Sequence, residues 1–107
     1  MTIQERISYL VGVLENGDAR AFANKIGVNE SVLSRLRRGK QEMSMLYYTR
    51  ILNAYPEVRR EWLFAGVGEP TKERQEKSLL LSEISALRKE VAELKEMVAK
   101  LEKSAER

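Results

Sequence analysis

The stretch from Ala19 to Arg38 reads ARAFANKIGVNESVLSRLRR, and its spacing predicts two short helices joined by a tight turn. Asp18 stands ahead of the first helix, Ala19 through Ile26, where its carboxylate can accept from the free N–H groups of the opening turn. Gly27 follows, the residue type that takes a positive φ without steric penalty. Asn29 is placed to cap the second helix, and Gly39 marks its exit. Ala23 is small where two helices have to approach closely, while Phe22, Ile26, Val28, Leu33 and Leu36 fall on inward positions. Twenty residues thus satisfy the demands of a helix-turn-helix.

Outward from that stretch the pattern remains helical. Upstream, Thr2 and Glu5 form a capping-box pair, and Ile3, Ile7, Leu10, Val11 and Leu14 make one apolar stripe that ends at Asn16-Gly17. Downstream, Ser44 opens a fourth helix with Tyr48, Ile51, Leu52 and Tyr55 inward, stopped by Pro56. A brief fifth helix carries Trp62, Leu63 and Phe64 before Gly66, with Trp62 expected to close it onto the first. These five helices make one domain over residues 1–68. Residues 69–77, rich in charge after the Gly66–Pro70 run, read as a linker and the exposed start of a long helix. Residues 78–107 form a third region.

Phe22-Ala23-Asn24-Lys25-Ile26-Gly27-Val28, followed by Ser31, Leu33, Ser34 and Leu36, resembles the lambda-repressor-like helix-turn-helix family. The likeness continues through Tyr55-Pro56-Glu57 and Glu61-Trp62-Leu63-Phe64-Ala65-Gly66-Val67-Gly68, the closing wording of many short phage-type repressors, and covers about the first 68 residues. Two positions depart from the family pattern. Ala19 stands where a phosphate-holding polar residue is usual, which passes that role to Arg20 or Asn24, and Val67 replaces a usual glutamate. The resemblance implies a DNA-binding transcriptional regulator, bacterial or phage-encoded, whose third helix enters the major groove. Asn29, Glu30, Ser31, Ser34 and Arg35 are then the base-contact candidates: Arg35 suits guanine, Asn29 adenine, Glu30 the amino group of cytosine, and the serines adapt to several partners. Val32 stands between a thymine methyl and the core. Arg20, Asn24, Arg37, Arg38 and Lys40 are the phosphate-contact candidates. Tyr47, Tyr48 and Tyr55 read as core and rim, not as base-stacking groups.

Beyond the linker the apolar spacing changes to a strict alternation of four and three: Leu80, Ile84, Leu87, Val91, Leu94, Val98 and Leu101. With Ile84, Val91 and Val98 at a, every d is leucine, the combination that favours a parallel two-stranded coiled coil. Glu83 faces Arg88 and Glu90 faces Lys95 across a parallel homodimer, whereas an antiparallel pair opposes like charges. Leu81 and Met97 widen the stripe and leave a trimer or tetramer open. A single amphipathic helix folded back onto its own domain is the other alternative. From Ser78 to Lys103 the helix spans roughly 40 Å at about 1.5 Å per residue. A parallel dimer implies a pseudo-palindromic site with half-sites about 34 Å apart or a multiple of that.

The totals agree with this reading. The chain has 107 residues, net charge +3, no cysteine and no histidine, so thiolate metal sites and histidine-dependent catalysis are absent, and an enzyme is not expected. No cofactor or small-molecule ligand is evident. From Arg35 to Lys40 there are four cations in six residues, a basic patch beside a charge-balanced tail. Met1–Glu5 has no signal pattern, and no apolar run approaches the roughly 18 residues of a membrane span. A cytoplasmic location without membrane contact is expected. The expectation is therefore an all-α chain: a five-helix lambda-repressor-like domain and a long helix that forms a parallel dimeric coiled coil. It would bind double-stranded DNA, most simply as a repressor. The alternative is a protein-interaction module, such as an antitoxin or anti-regulator, assembled by the same coiled coil.

Overall fold

The computed structural model of the chain describes residues 1–105. Among the described residues six helices follow in order: α1 (Ile3–Leu14), α2 (Ala19–Ile26), α3 (Glu30–Arg37), α4 (Met45–Ala54), α5 (Arg60–Ala65) and α6 (Lys72–Ala105). Among the described residues there is no strand, only an isolated antiparallel bridge between Val58 and Thr71, so the fold is all-α. No described helix is long and apolar enough to cross a membrane. Two compact units are present, Met1–Gln75 and the residues from Glu76 onward.

Helix starts are set by side chains that accept from otherwise unpaired N–H groups. Thr2 Oγ1 accepts from the Glu5 N–H at 3.1 Å, and the Glu5 carboxylate accepts from the Thr2 N–H at 3.2 Å. The hydrogen bond from the Thr2 backbone, joined by its hydroxyl, holds the Glu5 carboxyl below its ordinary value. Asp18 Oδ1 accepts from the Ala21 N–H at 3.0 Å and Asn29 Oδ1 from the Val32 N–H at 2.9 Å. Ser44 precedes α4 in extended conformation but makes no side-chain cap bond.

The core of the first unit forms where the five short helices meet. Ile7, Leu10 and Val11 of α1 pack with Phe22, Ala23 and Ile26 of α2, Leu33 and Leu36 of α3, and Ile51, Tyr55 and Leu63 behind them. The Phe22 and Tyr55 rings stack at 5.1 Å. Tyr55 keeps its polar tip satisfied by donating to Glu15 Oε1 at 2.8 Å. Burial and then that carboxylate push the Tyr55 phenol above its ordinary value. Lys25 joins the group, 3.5 Å from the same carboxylate and 4.9 Å above the Tyr55 ring. Trp62 closes α5 onto α1 through Tyr9, with ring centroids 5.6 Å apart.

Two residues of α4 expected inward lie further out. Ile51 and Tyr55, one turn apart, take the buried line of α4, which leaves Tyr48 and Leu52 half-buried at its edge. Phe64 is exposed and stacks on Tyr48 at 4.3 Å. A charged residue not expected inward is buried: Arg6, on the apolar stripe of α1. Its Nε donates to the Leu63 carbonyl at 3.1 Å, Nη1 to the Met1 carbonyl at 2.7 Å and Nη2 to the Phe64 carbonyl at 3.4 Å. A six-residue helix such as α5 has carbonyls at its end that no later turn can satisfy. Arg6 supplies the donors.

The segment after Gly66 is built into the first unit instead of leaving it at residue 68. Arg59 donates from its N–H to the Pro70 carbonyl at 2.9 Å, and its Nη1 donates to the Val67 and Glu69 carbonyls at 3.2 and 3.0 Å. Lys72 N–H reaches the Glu57 carbonyl at 2.9 Å, and Pro70 is buried. Thr71 Oγ1 accepts from the Arg74 N–H at 3.2 Å, and the Arg74 side chain donates to the Tyr9 hydroxyl. The first turn of α6 thus belongs to the globular unit.

The second unit is the remainder of α6, a helix of 34 residues in all with no buried residue. Its a and d residues are all exposed, from Ile84 at 44% to Leu101 at 68%. Seven large apolar side chains in water along one stripe carry a standing free-energy penalty that a partner surface would remove.

Arg6→Met is expected to destabilise the chain by about 1–3 kcal/mol through the orphaned carbonyls, read by urea denaturation followed through Trp62 fluorescence. An unchanged midpoint would show that solvent serves those carbonyls equally well.

Candidate nucleic-acid interface

The turn between α2 and α3 fixes where α3 points. Gly27 has φ 76° and ψ 31°, the left-handed region. Its N–H reaches the Asn24 carbonyl at 3.3 Å while the Val28 N–H reaches the Ala23 carbonyl at 3.0 Å, the paired bonds of a Schellman ending. A second clamp comes from α4. Arg50 Nη1 donates to the carbonyls of Ile26 and Gly27 at 3.3 and 3.0 Å. A Cβ on residue 27 would lie 2.6 Å from that nitrogen, so both the backbone angle and the close guanidinium favour glycine.

Helix α3 is two-faced. Leu33 and Leu36 are buried against the core, 1% and 2% exposed, which turns the opposite face outward. Glu30, Ser31, Arg35 and Arg38 are exposed there and Ser34 is half-buried. Val32 is half-buried against the core. Asn29 Oδ1 is occupied twice, by the Val32 N–H and by the Ser31 hydroxyl at 2.7 Å. A bidentate contact to adenine needs both ends of the amide, so in this arrangement Asn29 has its Nδ2 to offer while its oxygen holds the helix start.

Glu30, Ser31, Ser34, Arg37 and Arg38 come together with Ser8 and Ala19 around one cleft of about 650 Å³. Arg37 is half-buried and bends toward α1, its Nε donating to Ser8 Oγ at 3.1 Å. Arg38 Nε donates to the Ser34 carbonyl at 3.3 Å. Arg35 is held from the other side by Gln41, whose Oε1 accepts from Nε at 3.0 Å. Arg20 and Asn24 are exposed on α2, Lys40 is exposed in the loop after α3, and these three lie outside the residues that line the cleft.

Charge completes the picture. The ion pairs among the described residues join Lys25 to Glu15, Arg59 to Glu61 and Arg74 to Glu69. Arg20, Arg35, Arg37, Arg38 and Lys40 take part in none of them. These cations bond to neutral oxygens where they bond at all; Glu30, on the same face, pairs with none of them, so the cations outnumber the one nearby carboxylate and an anion approaching α3 meets several of them together. Ser8, Gln41, Tyr47 and Arg50 all shape this surface without having been singled out as site residues. Nothing in their local sequence marks them, because each acts on a segment distant in the chain or across a loop.

No protein-family model, curated protein or solved structure matches the chain.

Gly27→Ala is expected to destabilise the chain by about 1–2 kcal/mol from the left-handed backbone alone, with a further loss from the crowded Arg50. In an Arg50→Ala background the second part should vanish, and a double-mutant cycle in urea separates the two. Strict additivity would show that the guanidinium does not constrain the turn.

Proposed function

We propose that the chain is a sequence-specific DNA-binding regulator of the lambda-repressor-like helix-turn-helix kind, most simply a repressor, which acts as a homodimer held by a parallel coiled coil. The observation that carries the reading is α3: one face anchored by Leu33 and Leu36, the other polar and cationic without local carboxylate partners, beside a turn clamped at Gly27. A duplex asks for this combination. Its major groove admits a helix, base edges present fixed donor and acceptor patterns, and the phosphates alongside attract cations.

In this reading Arg35 donates to guanine, Glu30 accepts from cytosine, and Ser31 and Ser34 adapt to their neighbours. Arg38 and Lys40 meet phosphates past the end of α3, Arg37 meets one from its anchor on Ser8, and Arg20 with Asn24 does so from α2. Helix α6 supplies the second half of the protein. Burying its exposed seam against a second copy removes the apolar stripe from water, and the pairs Glu83–Arg88 and Glu90–Lys95 select the parallel arrangement. Two domains at one end of a two-fold axis then read an inverted repeat, and the second domain binds at high effective concentration once the first is seated.

Two measurements test the two halves separately. Lys40→Ala should weaken binding to all duplexes alike and reduce the slope of log affinity against log salt by about 0.9 per phosphate contact removed; an unchanged slope would remove Lys40 from the interface. Val91→Lys, at a central a position, should shift the sedimentation behaviour of the full chain from dimer to monomer. A species of unchanged mass would place the self-association elsewhere.

A further inference from the structure

The exposed arginine in the last turn of α3, Arg35, is oriented by residues outside its own helix. Arg35 Nε donates to Gln41 Oε1 at 3.0 Å, and Gln41 Nε2 donates to the Tyr47 hydroxyl at 2.6 Å. Gln41 lies in the loop between α3 and α4, and Tyr47 lies in the first turn of α4 with its ring packed on the edge of the core. Two hydrogen bonds in series therefore tie a solvent-facing guanidinium to a ring that the core holds. Arg38, exposed at the C-cap just past that helix, has only the Ser34 carbonyl of α3 on its Nε.

We propose that Gln41 and Tyr47 are positioning residues that aim the Arg35 guanidinium and thereby set base selectivity. This rests on the DNA-binding reading above. The chemistry of each group fixes the relay's direction. A guanidinium only donates, so the Gln41 amide must turn its oxygen to Arg35 and its nitrogen to Tyr47. The Tyr47 oxygen accepts, and its own proton is left free.

Gln41 occupies the Nε–H, so the side-on fork of Nε with Nη is taken. The Nη edge, with its four N–H groups, remains for an end-on bidentate contact to O6 and N7 of guanine. An arginine already held in that attitude loses less rotamer freedom on binding than a free one. The gain applies only where the aimed edge finds its acceptors, so it raises selectivity at one base pair and leaves the other positions alone.

The test uses the full chain and Tyr47→Phe, which keeps the ring and its packing but removes the acceptor. In the DNA-free protein, ¹⁵N relaxation of the Arg35 Nε–H should report an ordered side chain that becomes mobile in Tyr47→Phe and in Gln41→Ala. Binding to randomised duplex DNA should then show a loss of about 2- to 10-fold in preference at the base pair that Arg35→Ala also relaxes. Preferences elsewhere, the salt slope and the thermal midpoint should hold. In an Arg35→Ala background Tyr47→Phe should have no further effect on selectivity. An Arg35 Nε–H equally ordered in both proteins would overturn the proposal and leave the DNA reading intact. So would an affinity loss that is uniform across sequences or that persists without Arg35, since either describes a merely structural staple. An ordered relay in a protein that selects no sequence would instead overturn the DNA reading, and the positioning role with it.

Discussion

The direction in which α3 points depends on a connection of three residues, Gly27, Val28 and Asn29. That connection is held at both ends. On one side the left-handed Gly27 closes α2, and Arg50 grips the carbonyls of Ile26 and Gly27. On the other, Asn29 satisfies the first free N–H groups of α3. Leu33 and Leu36 then seat α3 against the core, and the α3 residues proposed to meet DNA inherit their positions from that seating. A turn this short cannot absorb an error by bending elsewhere, so a change of angle at residue 27 would be felt along the whole of α3.

The arginines divide by what they bond. Arg6, Arg50 and Arg59 have turned their guanidinium groups onto backbone carbonyls at the end of α5, in the α2–α3 turn and in the Val67–Pro70 segment. In each place a short element leaves acceptors that its own backbone cannot serve, and a planar multi-donor group reaches several of them together. Arg35, Arg37 and Arg38 bond through Nε to neutral oxygens and keep their outer N–H groups available. Net charge conceals this distinction. Cations committed to the fold contribute little to recognition, while those of α3 are concentrated where a polyanion would come.

Much of this was legible from residue type and spacing. Thr2, Asp18 and Asn29 are the right residues immediately ahead of amphipathic runs, and Gly27 sits where a helix must stop and turn; local rules of this kind act over a few residues and survive in any fold. Tertiary context decided the rest. Nothing adjacent to Arg50 or Gln41 says that a carbonyl or a guanidinium will lie beside it, and Pro70 looks like linker until the strand-like pairing of Val58 with Thr71 draws it inward. Arg6 did leave a trace, since it falls on the same stripe as Ile3, Ile7 and Leu10, where a charged residue has to find internal partners or stay out. Phe64 follows Trp62 and Leu63 in the sequence, yet it stacks on Tyr48 at the surface. For α6 the heptad is plain in the sequence, and the exposed seam of the single chain is what such a pattern leaves without a partner.

We propose that a clamped turn presents α3 to duplex DNA and that α6 pairs two copies about a two-fold axis. The most direct test is selection of bound sequences from a pool of randomised duplex DNA by the purified full-length protein at near-physiological salt. The account requires an inverted repeat whose half-sites lie about 34 Å apart or a multiple of that distance. Recovery of unrelated sequences, held only by salt-sensitive attraction, or of none, would contradict it and return the helical domain to the role of a protein-binding module.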